Sequence, residues 1–364
     1  MKKLQVFLII VIVPMLFSCH RQTTSAPNAQ ELIVPKISEA YEINAETNNS
    51  SVDVDLLTET KPELYTDDVI TEEDIANALR TWTRARSFPF NRDSIDNIVF
   101  GNGRFLATGH IHIPLAYSDD GDTWRHVRDP LFNRAGVRAI AYGNGRFVAA
   151  VRGDRMVFSE DGISWMLAEN GGLSADYSIS AIVYGIDRFI AVGSNWHQGY
   201  GIIGYSNDGE TWTLVEAGGL GIRSFISIAY GKGMFIAGGL DGNVAYSNDG
   251  IVWRVIENTP FGGRDIHIIT YGNGRFVIYC YYFKGRGMTF YSENGMDWTI
   301  APNPFVTSPV HNIVYVNGFF IAAGNSSRIS FSFDAKTWHS GHDRDGFSIH
   351  YRRTNLHGIA YGNL

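Results

Sequence analysis

SNDGETW, Ser206 to Trp212, occurs once as written and five more times in close variants. The variants are SDDGDTW (Ser118 to Trp124), SEDGISW (Ser159 to Trp165), SNDGIVW (Ser247 to Trp253), SENGMDW (Ser292 to Trp298) and SFDAKTW (Ser332 to Trp338). With Trp82, the tryptophans that end these units fall at 82, 124, 165, 212, 253, 298 and 338, Trp196 standing apart from them, so the spacings are 42, 41, 47, 41, 45 and 40. A period of this length with strand-like content predicts propeller blades, whereas two-helix repeats of similar length would carry apolar residues every 3.6 positions.

A second signature precedes each heptapeptide. It reads IVFGNGRFLATG from Ile98, IAYGNGRFVAA from Ile140, IVYGIDRFIAVG from Ile182, IAYGKGMFIAGG from Ile228, ITYGNGRFVIY from Ile269 and IVYVNGFFIAAG from Ile313. Two short apolar runs around Asn-Gly form a hairpin, because both turn residues tolerate positive φ. Strand a therefore ends near Tyr142 and strand b begins at Arg146. Strand c ends in Tyr-Ser or Phe-Ser, and the heptapeptide is the c–d turn. There Ser and Asp (Ser118, Asp120; Ser159, Asp161; Ser206, Asp208; Ser247, Asp249) accept bonds from backbone N–H groups. Gly permits a left-handed residue, and Trp124, Trp165, Trp212 and Trp253 open strand d with a ring that packs on the neighbouring blade.

These repeats resemble the Asp-box (BNR-type) repeats of sialidase-like β-propellers, over roughly Trp82 to the C-terminus. The usual Asp box reads S-x-D-x-G-x-x-W; this chain has one residue fewer between Asp and Gly. That variant, with YGNGRF-like hairpins, is similar to bacterial propellers mostly without an assigned activity. The expected fold is all-β, a propeller of four-stranded antiparallel blades spanning 81–364. Six a-b-c-d units are complete between Ile98 and Trp338, with an extra strand d from Trp82 and an extra strand a, GIAYGNL, up to Leu364. Six blades closed by terminal strand pairing are expected; the alternative is seven with one incomplete.

The chain opens MKKLQVFLIIVIVPMLFSC, two lysines before an apolar run from Val6 to Phe17, the length of a signal h-region. Residues 1–18 are expected to be a lipoprotein signal peptide, because Leu16-Phe17-Ser18-Cys19 resembles the bacterial lipobox, which implies lipid on Cys19; the alternative is an ordinary signal peptide. That resemblance, with His20 after the cysteine, implies an outer-membrane address in the cell envelope. If Cys19 carries lipid, Cys280 is the only other cysteine and no disulfide forms within the chain. Residues 19–70 are Thr-, Ser-, Asn- and acid-rich, too polar to order themselves, and read as a tether. ThrGluGluAsp at 71–74 caps a short helix over 71–80.

A net charge of −7 and a pI near 5.9 supply no basic field for nucleic acid. In each blade the a–b and c–d turns share one face, and all variation falls on the other, in the b–c and d–a loops. Loops on a rigid scaffold carry binding residues. The candidates are Trp196, His197 and Tyr200 in the longest b–c loop, Tyr281, Tyr282, Lys284 and Arg286 in another, and Arg155 in a third. The first two groups suit stacking on a sugar or gripping a peptide, and equally suit plugging their own loop. His110 and His112 share one side of a strand but lack a third metal ligand, so no metal or other cofactor is expected. Arg104, Arg146, Arg188 and Arg275 recur at one repeat position near the box carboxylates and read as structural pairs.

The sialidase resemblance also raises a glycoside hydrolase, which needs an arginine trio, a Tyr-Glu nucleophile pair and an Asp acid/base. The Arg-Ile-Pro segment of that family is absent, and nothing assigns Arg134, Arg155, Arg223 or Arg264 to such roles. The sequence is read as a non-catalytic, monomeric envelope propeller that holds a protein or glycan. The alternatives are the hydrolase and an assembly factor for a membrane complex.

Overall fold

The computed structural model describes residues 8–14, 90, 95–109, 112–132, 135–153, 155–169, 173, 176–195, 197–215, 217–281, 287–305, 309–316, 318–324, 328–340 and 354–361. Cys19, the expected lipidation site, the expected tether and the expected 71–80 helix lie outside these residues.

Six four-stranded antiparallel blades form a ring, each with the sheet order a-b-c-d. Blade 2 is typical: Val137–Gly143, Arg146–Val151, Arg155–Ser159 and Met166–Leu167. Strands a of the other blades are Ile95–Gly101, Tyr177–Gly185, Phe225–Gly231, Asp265–Gly272 and Val310–Val316. Each of these lies innermost, against strand a of the next blade. The Asn-Gly turns do what their residues predict, with Asn144 at φ 49° and Gly145 at φ 72°. Strand d starts just after the tryptophan and is short, two or three residues in every blade.

The core lies between blades. Leu106 and Leu115 of blade 1 pack with Phe147 and Trp165 of blade 2. Ile190 and Ile203 of blade 3 meet Phe235 and Trp253 of blade 4 in the same way. Strand b is buried on both sides by this arrangement: Phe147, Val148 and Ala149 are each 0% exposed. Its sequence is accordingly a continuous apolar run, not an alternating one.

A glycine closes strand a in the first five blades, and an aromatic ring of the next blade lies on it. A Cβ at Gly143 would fall 2.0 Å from the ring of Tyr184, and one at Gly272 would fall 2.0 Å from Tyr315. Blade 6 has Val316 at this position, so the stacking relay stops there.

Between blades 6 and 1 runs the strand Thr354–Tyr361, against the innermost strands of both. It is the extra strand a expected from GIAYGNL. Its antiparallel partner is Leu8–Pro14, so the apolar run read as a signal h-region occurs here as a strand.

Candidate functional site

The heptapeptides on the turn face are hydrogen-bonding units, closed by the tryptophan N–H in blades 1 to 4, whereas the buried Nε1 groups of Trp298 and Trp338 in blades 5 and 6 find no partner among the described residues. In blade 3, Ser206 Oγ donates to Asp208 Oδ1 (2.9 Å) and accepts from the Gly209 N–H (2.7 Å). The N–H groups of Glu210 and Thr211 donate to Asp208 Oδ1 at 2.8 and 2.9 Å, and Trp212 Nε1 donates to the Gly209 carbonyl at 3.1 Å. Partial burial alone would raise the pKa of Asp120, Asp161, Asp208, Asp249 and Asp334. The backbone N–H and serine bonds outweigh it, and all five lie below the ordinary aspartate value. Blade 5 reaches the same geometry with Asn294 Oδ1, which accepts from Met296 and Asp297 N–H.

Three of the four repeated arginines bind one blade to the next; the fourth, Arg188, lies over the Tyr205 ring of its own blade with Nε and Nη1 buried and unpartnered among the described residues. Arg146 Nη1 of blade 2 donates to the Asp208 carbonyl of blade 3 (2.7 Å) and pairs with Glu210 (2.6 Å). Arg104 reaches the Asp161 carbonyl, and Arg275 the Asp334 carbonyl, in the same sense. These cations are engaged in the scaffold and do not converge on a ligand.

The loop face is built differently. Near its loop-face end, strand a of each blade slips register by one residue against strand b. The extra residues are Asp96, Arg138, Ser180, Ile226, His267 and His311. Asp96, Arg138, Ser180 and His267 are exposed, and Ile226 and His311 half-buried. A bulge turns its side chain out of the pleat, so six innermost strands present five different residue types around the inner mouth of this face. Crowding by protein at the mouth lowers the His267 pKa, with Asp265 pulling the other way. The His267 ring meets Tyr281 edge-on, with centroids 5.9 Å apart.

Further out, Tyr177 and Tyr200 flank Asn195 in the blade 3 register. His197 Nε2 stands 3.9 Å from Asp176 Oδ1, both side chains well exposed. Desolvation, then Tyr200 and Asp176, raise the Tyr177 pKa. His197, Tyr200, Tyr177 and Asp176 thus form one cluster, and His267 with Tyr281 a second. Trp196, Tyr282, Lys284, Arg286 and His110 lie outside the described residues. Arg155, expected to be available to a ligand, instead donates through Nη2 to the Leu131 carbonyl at 3.0 Å. It holds its own d–a segment against strand c.

The bulge residues escaped the sequence reading. Their only signal is one residue too many between the apolar positions of strand a, as in Val137-Arg138-Ala139. Among the described residues no group of three or more His, Cys, Asp or Glu side chains is placed to hold a metal. An apolar groove of about 400 Å³ lies on the rim between Leu214 and Val252. It lacks the convergent polar groups of a small-molecule site.

Neither a protein-family model nor a curated protein matches the sequence. Solved structures share the fold. One described as YCF48 bound to D1 peptide is 15% identical with a TM-score of 0.55, over 76% of this chain and 92% of that one. A catalytically inactive virginiamycin B lyase from Staphylococcus aureus, with quinupristin, is 12% identical with a TM-score of 0.57, over 70% and 86%. The GH74 xyloglucanase from Xanthomonas campestris is 12% identical with a TM-score of 0.51, over 68% of this chain but 45% of that one. Such distant likeness establishes the β-propeller architecture and nothing about chemistry.

Proposed function

We propose that this protein is a non-catalytic propeller of the bacterial cell envelope, anchored through lipid on Cys19, which holds a protein partner on its loop face. The observation that carries this reading is the contrast between faces. Box carboxylates and clasp arginines are consumed by the scaffold, whereas unlike polar and aromatic groups, Asp96, Arg138, His267, Tyr281, His197 and Tyr200, stand uncopied on one side. A varied, partly aromatic surface on a rigid ring suits recognition of an irregular polymer such as a peptide segment. A structural neighbour of this fold was solved with a peptide bound, which adds support of the same kind.

The test is capture from detergent-solubilised envelope, with an affinity tag inserted in the polar segment 20–70 so that both faces stay free. Mass spectrometry identifies proteins retained by the native chain and lost with Tyr281→Ala or His197→Ala. One stoichiometric protein with that dependence is the expected result. Retention indifferent to both changes sinks the choice of face, and turnover of a fluorogenic sialoside sinks the non-catalytic reading.

A further inference from the structure

In each of the six blades strand b follows strand a through a tight turn, so the two are covalent neighbours. At the position between blades 6 and 1 they are not. Strand Thr354–Tyr361 takes the strand-a place, down to the register slip that leaves His357 as the extra residue. The strand-b place is held by Leu8–Pro14, from the opposite end of the chain. Among the described residues nothing takes the places of strands c and d there.

The flanking blades are made to match. Where blades 1, 2, 3 and 5 begin strand b with an arginine, blade 6 has Phe319, 4% exposed, its ring edge-on to Phe333 at 6.2 Å. Where the first five blades end strand a with a ring-bearing glycine, blade 6 has Val316. Blade 6 therefore offers its seventh-position side no cation for an Asp box. It offers apolar surface.

We infer that the outward edge of strand Thr354–Tyr361 is a strand-acceptor site for an extended, uncharged, β-branched peptide segment of about seven residues, a site that Leu8–Pro14 fills in this chain. The chemistry of the occupant follows from the fold. Strand b is walled by apolar side chains on both faces in every blade, so only a continuous apolar run can sit there without burying a polar group. LIIVIVP is such a run, with Ile9, Ile10, Val11, Ile12 and Val13 suited to an extended backbone and Pro14 at the last paired position. Backbone bonds along the edge supply affinity irrespective of detailed sequence, as in strand addition generally. Because no turn ties the occupant to the strand it pairs with, a partner's segment of the same chemistry can replace it. On the export reading, cleavage before Cys19 removes Leu8–Pro14 and opens the site; that timing rests on the proposed function, while the site itself does not.

Hydrogen exchange on the full chain tests the site. In Ile10→Pro/Ile12→Pro, amides 354–361 are expected to exchange at least about ten-fold faster than in the native chain, with strand Arg188–Asn195 unchanged. A lysine-tagged peptide of residues 5–14 restores their protection, and the same peptide with both prolines does not. Equal exchange in both chains, or no protection by the peptide, overturns the proposal. A second variant needs no destabilised strand: Ile10→Cys/Ile359→Cys, at paired positions in a Cys19→Ser background, forms a disulfide under mild oxidation, and excess peptide suppresses it. Absence of that bond also overturns it. An empty envelope capture would count against the loop face and leave these results standing.

Discussion

On the turn face, Asp208 accepts from two backbone N–H groups and a serine hydroxyl within 2.9 Å. On the loop face, Asp176 stands 3.9 Å from a histidine and Asp241 3.7 Å from an arginine, with all four side chains more than half exposed. The same residue type is therefore held by the backbone on one side of the ring and largely exposed to solvent on the other. What separates them is whether the local backbone supplies enough donors to satisfy the carboxylate. A copied turn does so in every blade, whereas loops of unique sequence do so only in places, as at Asp129, which accepts from the Leu131 and Trp165 N–H groups. Substitutions on the turn face should accordingly be felt as stability, and those on the loop face as binding.

The largest effect is expected where blades touch without side-chain slack. Gly143→Val pushes a side chain into the Tyr184 ring, 2.0 Å from where its Cβ would stand, and should cost about 3 kcal/mol in urea unfolding. Gly145→Ala, two residues on, has positive φ but nothing within 4 Å, and should cost about 1 kcal/mol. Near-equal costs would show that turn strain, not inter-blade contact, governs the ring.

Next comes the box. Asp208→Ala strands two N–H groups and a hydroxyl, for about 2 kcal/mol. Asp208→Asn should cost less than about 1 kcal/mol, because blade 5 already closes its box with Asn294. The pH dependence separates charge from geometry. Asp208 has a folded pKa below its unfolded value of 3.8, so the unfolded chain binds more protons as the medium acidifies. Its contribution is fully present above that value and is lost as pH falls through the folded pKa. The stability gap between native chain and Asp208→Asn should therefore narrow below about pH 4. Asn294→Asp should gain the same acid sensitivity.

Arg146→Ala removes the clasp to blade 3 and the contact of its guanidinium with the Phe158 ring, 4.8 Å away, and should cost about 1 kcal/mol. A null result there would mean that apolar packing between blades suffices without the polar clasps.

The repeated half of this comparison was legible in the sequence because turns are local. Positive φ at Asn144 and Gly145, and the acceptor geometry of Ser206 and Asp208, are demands that a few adjacent residues meet identically in each blade. The Trp212 Nε1 bond to Gly209 is equally local but leaves no mark beyond the tryptophan already read as packing. The bulges were not legible, since a one-residue slip constrains the backbone and leaves Asp96, Arg138, Ser180, Ile226, His267 and His311 free to differ. Arg155 follows a variable loop, and its bond to Leu131 depends on a d–a segment 24 residues upstream that its place in the repeat does not signal. GIAYGNL could be recognised as a strand a. Its pairing with Leu8–Pro14 joins opposite ends of the chain and has no local signature.

The smallest stability change and the sharpest functional one are expected together, at the outer edge of the loop face. His197 and Asp176 have side chains 55% and 63% exposed and sit 3.9 Å apart, and an exposed pair of this kind contributes little to stability. His197→Ala and Asp176→Ala should each shift unfolding by less than about 0.5 kcal/mol. Arg146→Ala, though more destabilising, should leave a captured partner bound, because it acts on the opposite face. If His197→Ala and Asp176→Ala weaken retention while Arg146→Ala does not, the two faces divide stability from recognition. If Arg146→Ala releases the partner and they do not, recognition belongs to the copied turns, and the uncopied loops are the spacers.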